Sequence, residues 1–463
     1  LLEQAKATQD ISIVDEDQLE EINQNEDYEV IQLSGKHIAV HTAALDDKAS
    51  AIEILKMYAE VLDDQFAPYV AEIANEIVIP GLDFYLHDGV RGTCAVTMPS
   101  LLKCYIDSTG SAQSNESFTL WKSMANKLIA QVGTDPTVEL FFAYYYSLSK
   151  CLEMMGPQAL DDTQLVDMAK SMNVNLADIY ERITNRDDVD DDYNEEIADY
   201  DEDCTDEELL EEVSKGITAV FENSGVRFIS AFMSMTPMIT KFLTNDNPIL
   251  RKFAIQAFSD LVKYGGSESF KLNHLFLNAV GESLTSPDSK VRECAARCVG
   301  YCAQSPNSSD YANFCLACVQ YITQMSSIPD ARAPDNIDAT EYMCSTLALI
   351  IQCYGNQIPN VDELITTWIS ILPVCQNEEA AQIAYSFLTT LIQQNHPSVT
   401  VKIQHVLDSV VQALLYASIS GDVANNATAA VKGLLSNLPQ DQSMAMMNSY
   451  STETKAIVSK WFV

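Results

Sequence analysis

An all-α chain built as a solenoid of stacked helix pairs is the fold this sequence predicts, on three observations. A short turn pattern recurs at intervals of 40 to 50 residues. Apolar residues inside each interval fall on helical stripes. Chain-breaking residues are scarce, with 16 Gly and 15 Pro in 463 residues, against the roughly 12% usual in soluble proteins.

The pattern is an acidic or Asn/Pro turn, then an apolar residue, often a basic one, then small residues at helical spacing. It reads Asp46-Asp47-Lys48 with Ala51, and Asp88-Gly89-Val90-Arg91 with Ala95. It returns as Asn247-Pro248-Ile249-Leu250-Arg251 with Ala254, and as Pro287-Asp288-Ser289-Lys290-Val291-Arg292 with Ala295 and Ala296. Weaker copies start near Asp135-Pro136, Asp338, Glu378 and Asp422. Turns at 47, 88, 135, 247, 288, 338, 378 and 422 lie 41, 47, 112, 41, 50, 40 and 44 residues apart, so a single interval, holding an insertion, breaks the rhythm.

Each interval fits two helices. Ile52, Leu55, Ala59, Leu62 and Phe66 form one apolar stripe. Leu250, Ala254, Ala257, Phe258 and Leu261 form another, ended by Gly265-Gly266. A lone helix hairpin cannot bury such stripes, whereas stacked neighbours can. A period in this range belongs to HEAT and armadillo arrays, and the favoured architecture is a right-handed superhelix of about ten pairs. The turn aspartates should cap the second helix of each pair. Arg91, Arg251 and Arg292 should reach toward the next turn as a ladder with Asp88 and Asp288. Later repeats carry Glu341 and Glu379 near that place, so the ladder should fade.

Taken in order, residues 1–186 should be repeats carrying an acidic loop at 15–29, and 187–212 a second acidic loop. Residues 213–463 should be repeats closed by a capping helix, Thr454 to Phe462, that buries Ile457, Val458, Trp461 and Phe462. The second loop holds 16 Asp or Glu and no Lys or Arg in 26 residues. Such a run repels itself and stays solvated, with helix resuming near Glu207 to Val213.

Charge narrows the function. With 27 basic against 66 acidic residues the net charge is −39, which argues against direct contact with nucleic acid or an anionic membrane. The 12 cysteines sit inside apolar runs, as reduced core residues do. No run of 18 apolar residues suggests a membrane span. Leu1, Leu2 and Ala5 start in mid-helix without an initiator Met, so a fragment lacking an N-terminal portion is expected.

The stretch Leu82-Asp83-Phe84-Tyr85-Leu86-His87-Asp88-Gly89-Val90-Arg91 resembles a repeat of the importin-beta superfamily of nuclear transport receptors, in its importin five or karyopherin beta three class. The order of features is similar too. An acidic stretch over Asp15–Glu29 is followed by Gly35-Lys36-His37-Ile38-Ala39-Val40 and the Asp46-Asp47-Lys48 helix, then the loop at 187–212 and a closing Asn395-His396-Pro397 repeat. The resemblance spans the chain and implies the C-terminal half of a receptor, with the principal Ran-binding surface upstream. It implies basic cargo such as ribosomal proteins or histones, Ran-GTP, Phe-Gly nucleoporins, and a place in cytoplasm, nucleus and nuclear pore complex.

Other constellations are weaker. Cys294, Cys298 and Cys302 share a helical face and Cys315 and Cys318 form a CxxC, but with no His between 275 and 395 they read as packing residues, not zinc ligands. The six His, at 37, 41, 87, 274, 396 and 405, are scattered. No nucleophile set or phosphate-cradling Gly loop occurs, so neither an enzyme nor a cofactor is expected. Tyr144, Tyr145 and Tyr146 read mainly as packing residues. The partner-binding candidates are the acids of the loop: Asp187, Asp188, Asp190, Asp191, Asp192, Glu195, Glu196, Asp199, Asp201, Glu202 and Asp203. An adaptor for basic protein segments is the favoured reading, and a HEAT scaffold or chaperone subunit of a multiprotein complex the alternative.

Overall fold

The computed structural model describes residues 1–6, 11–14, 28–33, 36–187, 205–305, 308–448 and 450–462. These form two compact units, Leu1–Ile239 and Thr240–Val463. Helix pairs dominate both, as the repeat pattern predicts.

In the first unit, helices α1 (Thr42–Leu62), α2 (Asp88–Thr109), α3 (Phe141–Met155) and α4 (Asp206–Ser224) pack in succession as one row. A second row contains Asn115–Thr134 and Asp162–Asp187, which pack on each other and on the first row. In the second unit α5 (Pro248–Tyr264), α6 (Ser289–Gln304), α7 (Ile337–Tyr354), α8 (Glu378–Gln393) and α9 (Gly421–Ser436) repeat the arrangement. Ser308–Met325 packs against α6 and α7, and Val361–Ile371 against α7.

The apolar stripes become the core. Leu250, Ala254, Ala257, Phe258 and Leu261 are fully buried. So are Ile52, Leu55, Ala59 and Phe66, but Leu62 ends α1 on the exposed side. Buried indoles also fasten the layers: Trp121 donates to the Ala159 carbonyl at 2.7 Å and Trp368 to the Cys344 carbonyl at 2.9 Å. Tyr144 and Tyr145 are buried and Tyr146 is exposed. Among the described residues no helix is long and apolar enough to cross a membrane.

Predicted starts near 88, 247, 288, 338, 378 and 422 fall within a residue of the observed ones. The start near 47 does not. A three-stranded antiparallel sheet, Ile11–Val14 (β1), Tyr28–Leu33 (β2) and Lys36–His41 (β3), occupies this end in the order β1-β3-β2. Strand β3 runs straight into α1, which leaves Asp46 and Asp47 one turn inside the helix and exposed. The wholly helical expectation fails here. Val30 pairs with Ala39 and Ile31 with Ile38, and this run of β-branched residues pairs as strand where a helix would crowd it. Of the expected loop at 15–29, Tyr28 and Glu29 are strand and the remainder lies outside the described residues.

Helix resumes within a residue of the expected Glu207, although the bounds 187–212 given to the acidic loop also took in Asp187 and Asp206 to Glu212. Asp187 closes one helix and Asp206 to Glu212 open another. A capping box starts α4 here: the Thr205 hydroxyl accepts the Glu208 N–H, and the Glu208 carboxylate accepts the Thr205 N–H at 2.9 Å. The closing helix, Thr452–Phe462, packs on Ile403–Leu415 and α9. It buries Val458 and Phe462, whereas Ile457 and Trp461 are half-exposed.

Candidate functional site

Among the described residues, the turns between repeats hold buried polar networks. Arg91, at the start of α2, is buried with Asp135 of the next turn. Its Nε donates to Asp135 Oδ2 at 2.8 Å and its Nη2 to Oδ1 at 3.2 Å. The same guanidinium donates to the Thr137 hydroxyl at 2.7 Å and the Phe84 carbonyl at 3.2 Å, and lies over the Tyr85 ring. Asp135 also accepts the Tyr144 hydroxyl at 2.5 Å and the Thr137 N–H at 2.9 Å. Burial, and then this carboxylate, push the Tyr144 phenol well above its ordinary range.

The other two arginines hold the same place with different partners. Arg292 donates to its own turn, at the Ser286 and Pro287 carbonyls (2.7 and 2.9 Å), and forward to the Asn336 side chain. Half-buried Arg251 reaches forward to the Ser283 hydroxyl at 3.0 Å. Asp288 caps α6 through the Val291 N–H at 2.9 Å, as expected. Asp88 does not cap α2. His87 does, through Nδ1 and the Val90 N–H at 3.2 Å, because the carboxylate sits one residue too late, inside the helix.

The ladder does not fade at α7; it reverses sign. Buried Glu341 accepts the N–H groups of Cys375, Gln376 and Asn377 at 2.7 to 3.1 Å. Burial pushes its carboxyl up while those three donors pull it down, with a net rise. Sequence reasoning placed Glu341 here but took the loss of the base as the end of the ladder, not as an acid doing the same tethering.

The acidic segment is pinned at its base. Arg182, in the helix before it, pairs through Nε with Asp206 Oδ1 at 3.0 Å, on the helix after it. Glu207, Glu208, Glu211 and Glu212 follow in the first turns of α4, and hydrogen bonds to Thr205 hold the Glu208 carboxyl below its ordinary value. Of the predicted partner residues, Asp187 ends a helix, its side chain not described. Asp188, Asp190, Asp191, Asp192, Glu195, Glu196, Asp199, Asp201, Glu202 and Asp203 lie outside the described residues.

A further polar row crosses α5 to α8, which single-helix periodicity could not have found. Arg297 donates to Gln256 and lies over the Tyr342 ring; Lys263 lies over the Tyr301 ring; both tyrosine hydroxyls donate to Glu379, at 3.4 and 3.2 Å. Cys294, Cys298, Cys302, Cys315 and Cys318 are buried, with the thiols of Cys294 and Cys318 pushed up by burial to about 11 and about 12. Among the described residues no group of three or more His, Cys, Asp or Glu could hold a metal ion.

Comparison with known proteins agrees with this architecture. Residues 140–245 match the family described as Importin repeat 6, and residues 377–428 the family described as Importin repeat. Importin subunit beta-3 of Saccharomyces cerevisiae is 39% identical over 464 residues, covering 100% of this chain and 42% of the relative. The crystal structure of Kap121p bound to RanGTP superposes with a TM-score of 0.84 at 35% identity, and that of Kap121p bound to Ste12p with 0.83 at 35%; each covers 100% of this chain and 41% of the other. The chain thus spans less than half the length of the relatives it matches.

Proposed function

Because the chain belongs to the importin-beta family of karyopherins, we propose that it is the cargo-binding portion of a nuclear import receptor. It takes up Lys/Arg-rich segments of proteins such as ribosomal proteins and histones. In the complete receptor it works with Ran-GTP and Phe-Gly nucleoporins, moving between cytoplasm and nucleus through the nuclear pore complex. The observation that carries this reading is the collinear similarity along all of the chain to importin subunit beta-3, whose relatives of solved structure are bound to RanGTP and to protein partners.

The chain's charge supports the mechanism. A body of net charge −39 attracts a basic segment over several ångströms and speeds its encounter. The carboxylates of 187–212 add to that attraction, and Arg182 and Asp206 hold together the helices on either side of the segment. Cargo release follows if Ran-GTP favours a different curvature of the stacked repeats, which loosens cargo contacts in proportion to its preference for that state. Titrating the chain with a labelled Lys/Arg-rich peptide tests the reading; absence of binding at low salt would overturn it.

A further inference from the structure

A groove of about 490 Å3 opens in the first unit between the start of α2 and the turn leading into α3. Val96 on α2 and Leu140 and Ala143 opposite give it apolar surface, beside the threonines Thr93 and Thr137. Gly92 lets its two walls approach closely, since a Cβ there would stand 3.1 Å from Leu140 Cδ2. Two exposed carboxylates, Asp88 and Glu139, flank it, and no basic residue lines it.

The surrounding contacts give the groove a fixed shape and a free rim. The wall bearing Glu139 is held to α2 by the buried Arg91, which bonds both Asp135 and the Thr137 hydroxyl. Because His87 caps α2 in place of Asp88, the Asp88 carboxylate is left at the rim, where it accepts the adjacent Gly89 N–H at 2.8 Å. An apolar trough ending in carboxylates is complementary to a long cationic side chain, whose methylenes need cover and whose head needs counter-charge.

We propose that this groove is a subsite for a lysine or arginine side chain of a bound basic segment. The stem lies on Val96, Leu140 and Ala143, and the cationic head sits between Asp88 and Glu139. The inference rests on the reading that the chain binds basic proteins, and names a place in the first unit where one residue is gripped.

The test uses a fluorescein-labelled hexalysine peptide titrated into the 463-residue chain by fluorescence anisotropy. Two variants address the groove by different means: D88N/E139Q removes its charges, and A143L fills its floor with charges intact. E116Q/E222Q, at exposed positions of the same unit, is the charge-matched control. The subsite predicts that each groove variant raises Kd on the order of tenfold while the control stays close to wild type. If wild type binds and both groove variants bind equally well, or no worse than the control, the subsite is wrong and basic-segment binding stands. If wild type does not bind the peptide, that reading falls, and the subsite with it.

Discussion

Arg91 and Asp135, 44 residues apart, form a buried two-point ion pair with Nε–Oδ2 at 2.8 Å, one repeat's acid held by the previous repeat's base. Removing one partner strands the other charge in the core. Arg91→Ala should therefore destabilise the chain by about 3–5 kcal/mol, read as a lowered urea midpoint. Arg251→Ala, which loses a single bond to the Ser283 hydroxyl, should cost about 1 kcal/mol. Equal costs would mean that the pair contributes no more than an ordinary hydrogen bond.

Glu341 makes the mirror-image tether and adds a pH signature. Glu341→Ala orphans three backbone N–H groups and should cost on the order of 3 kcal/mol near neutral pH. Burial raises its carboxyl above the ordinary 4.5, so the folded chain holds this proton to higher pH than the unfolded one. Its contribution is then largest below 4.5, declines as pH rises through the folded value, and is flat above it. Stability measured from pH 4 to 7 should lose that decline in Glu341→Gln; an unchanged slope would contradict it.

The fold was legible in the sequence where one helix face repeats. Leu250 to Leu261 could be read directly because burial depends on a single helical period. The ladder was legible in half. Arg91, Arg251 and Arg292 share a place, but their acceptors, a carboxylate, a hydroxyl and an amide, come from turns that vary in type. Glu341 was seen at that place but its role was not, because reversing the charge preserves the tether while removing the base that marks it. The sheet was missed because the acidic loop expected at 15–29 took in only the start of β2 and the residues after it were counted with the helical repeats, although Val30-Ile31 and Ile38-Ala39-Val40 carry strand propensity. The row from Gln256 to Glu379 needs neighbouring repeats placed side by side.

Cysteine chemistry should follow burial. Among the described cysteines Cys353 is exposed and Cys375 half-buried, and the others are buried. A thiol reagent applied to the native chain should label Cys353 first, in a Cys204→Ser background, and Cys353→Ser should abolish that fast phase. Rapid labelling of Cys298 or Cys302 would show that the α6–Ser308–Met325 layer opens readily.

The closing helix should stabilise the repeat it covers. Deleting residues 454–463 uncovers the contacts of Val458 and Phe462, both buried, and should lower Tm by several degrees, about what ~2–3 kcal/mol produces in a unit of this size. An unchanged Tm would mean that the helix adds no net stability.

The most direct test of the central claim is the affinity of this chain for a Lys/Arg-rich peptide at two ionic strengths, with and without charge in the acidic segment. The comparison is between wild type and a variant with Asp187, Asp188, Asp190, Asp191 and Asp192 changed to Asn. Exposed charges are screened beyond about 8–10 Å at physiological salt. The account predicts weaker binding by the variant at low salt, a gap that narrows as salt rises, and an unchanged melting curve. Equal affinities at both ionic strengths would contradict it.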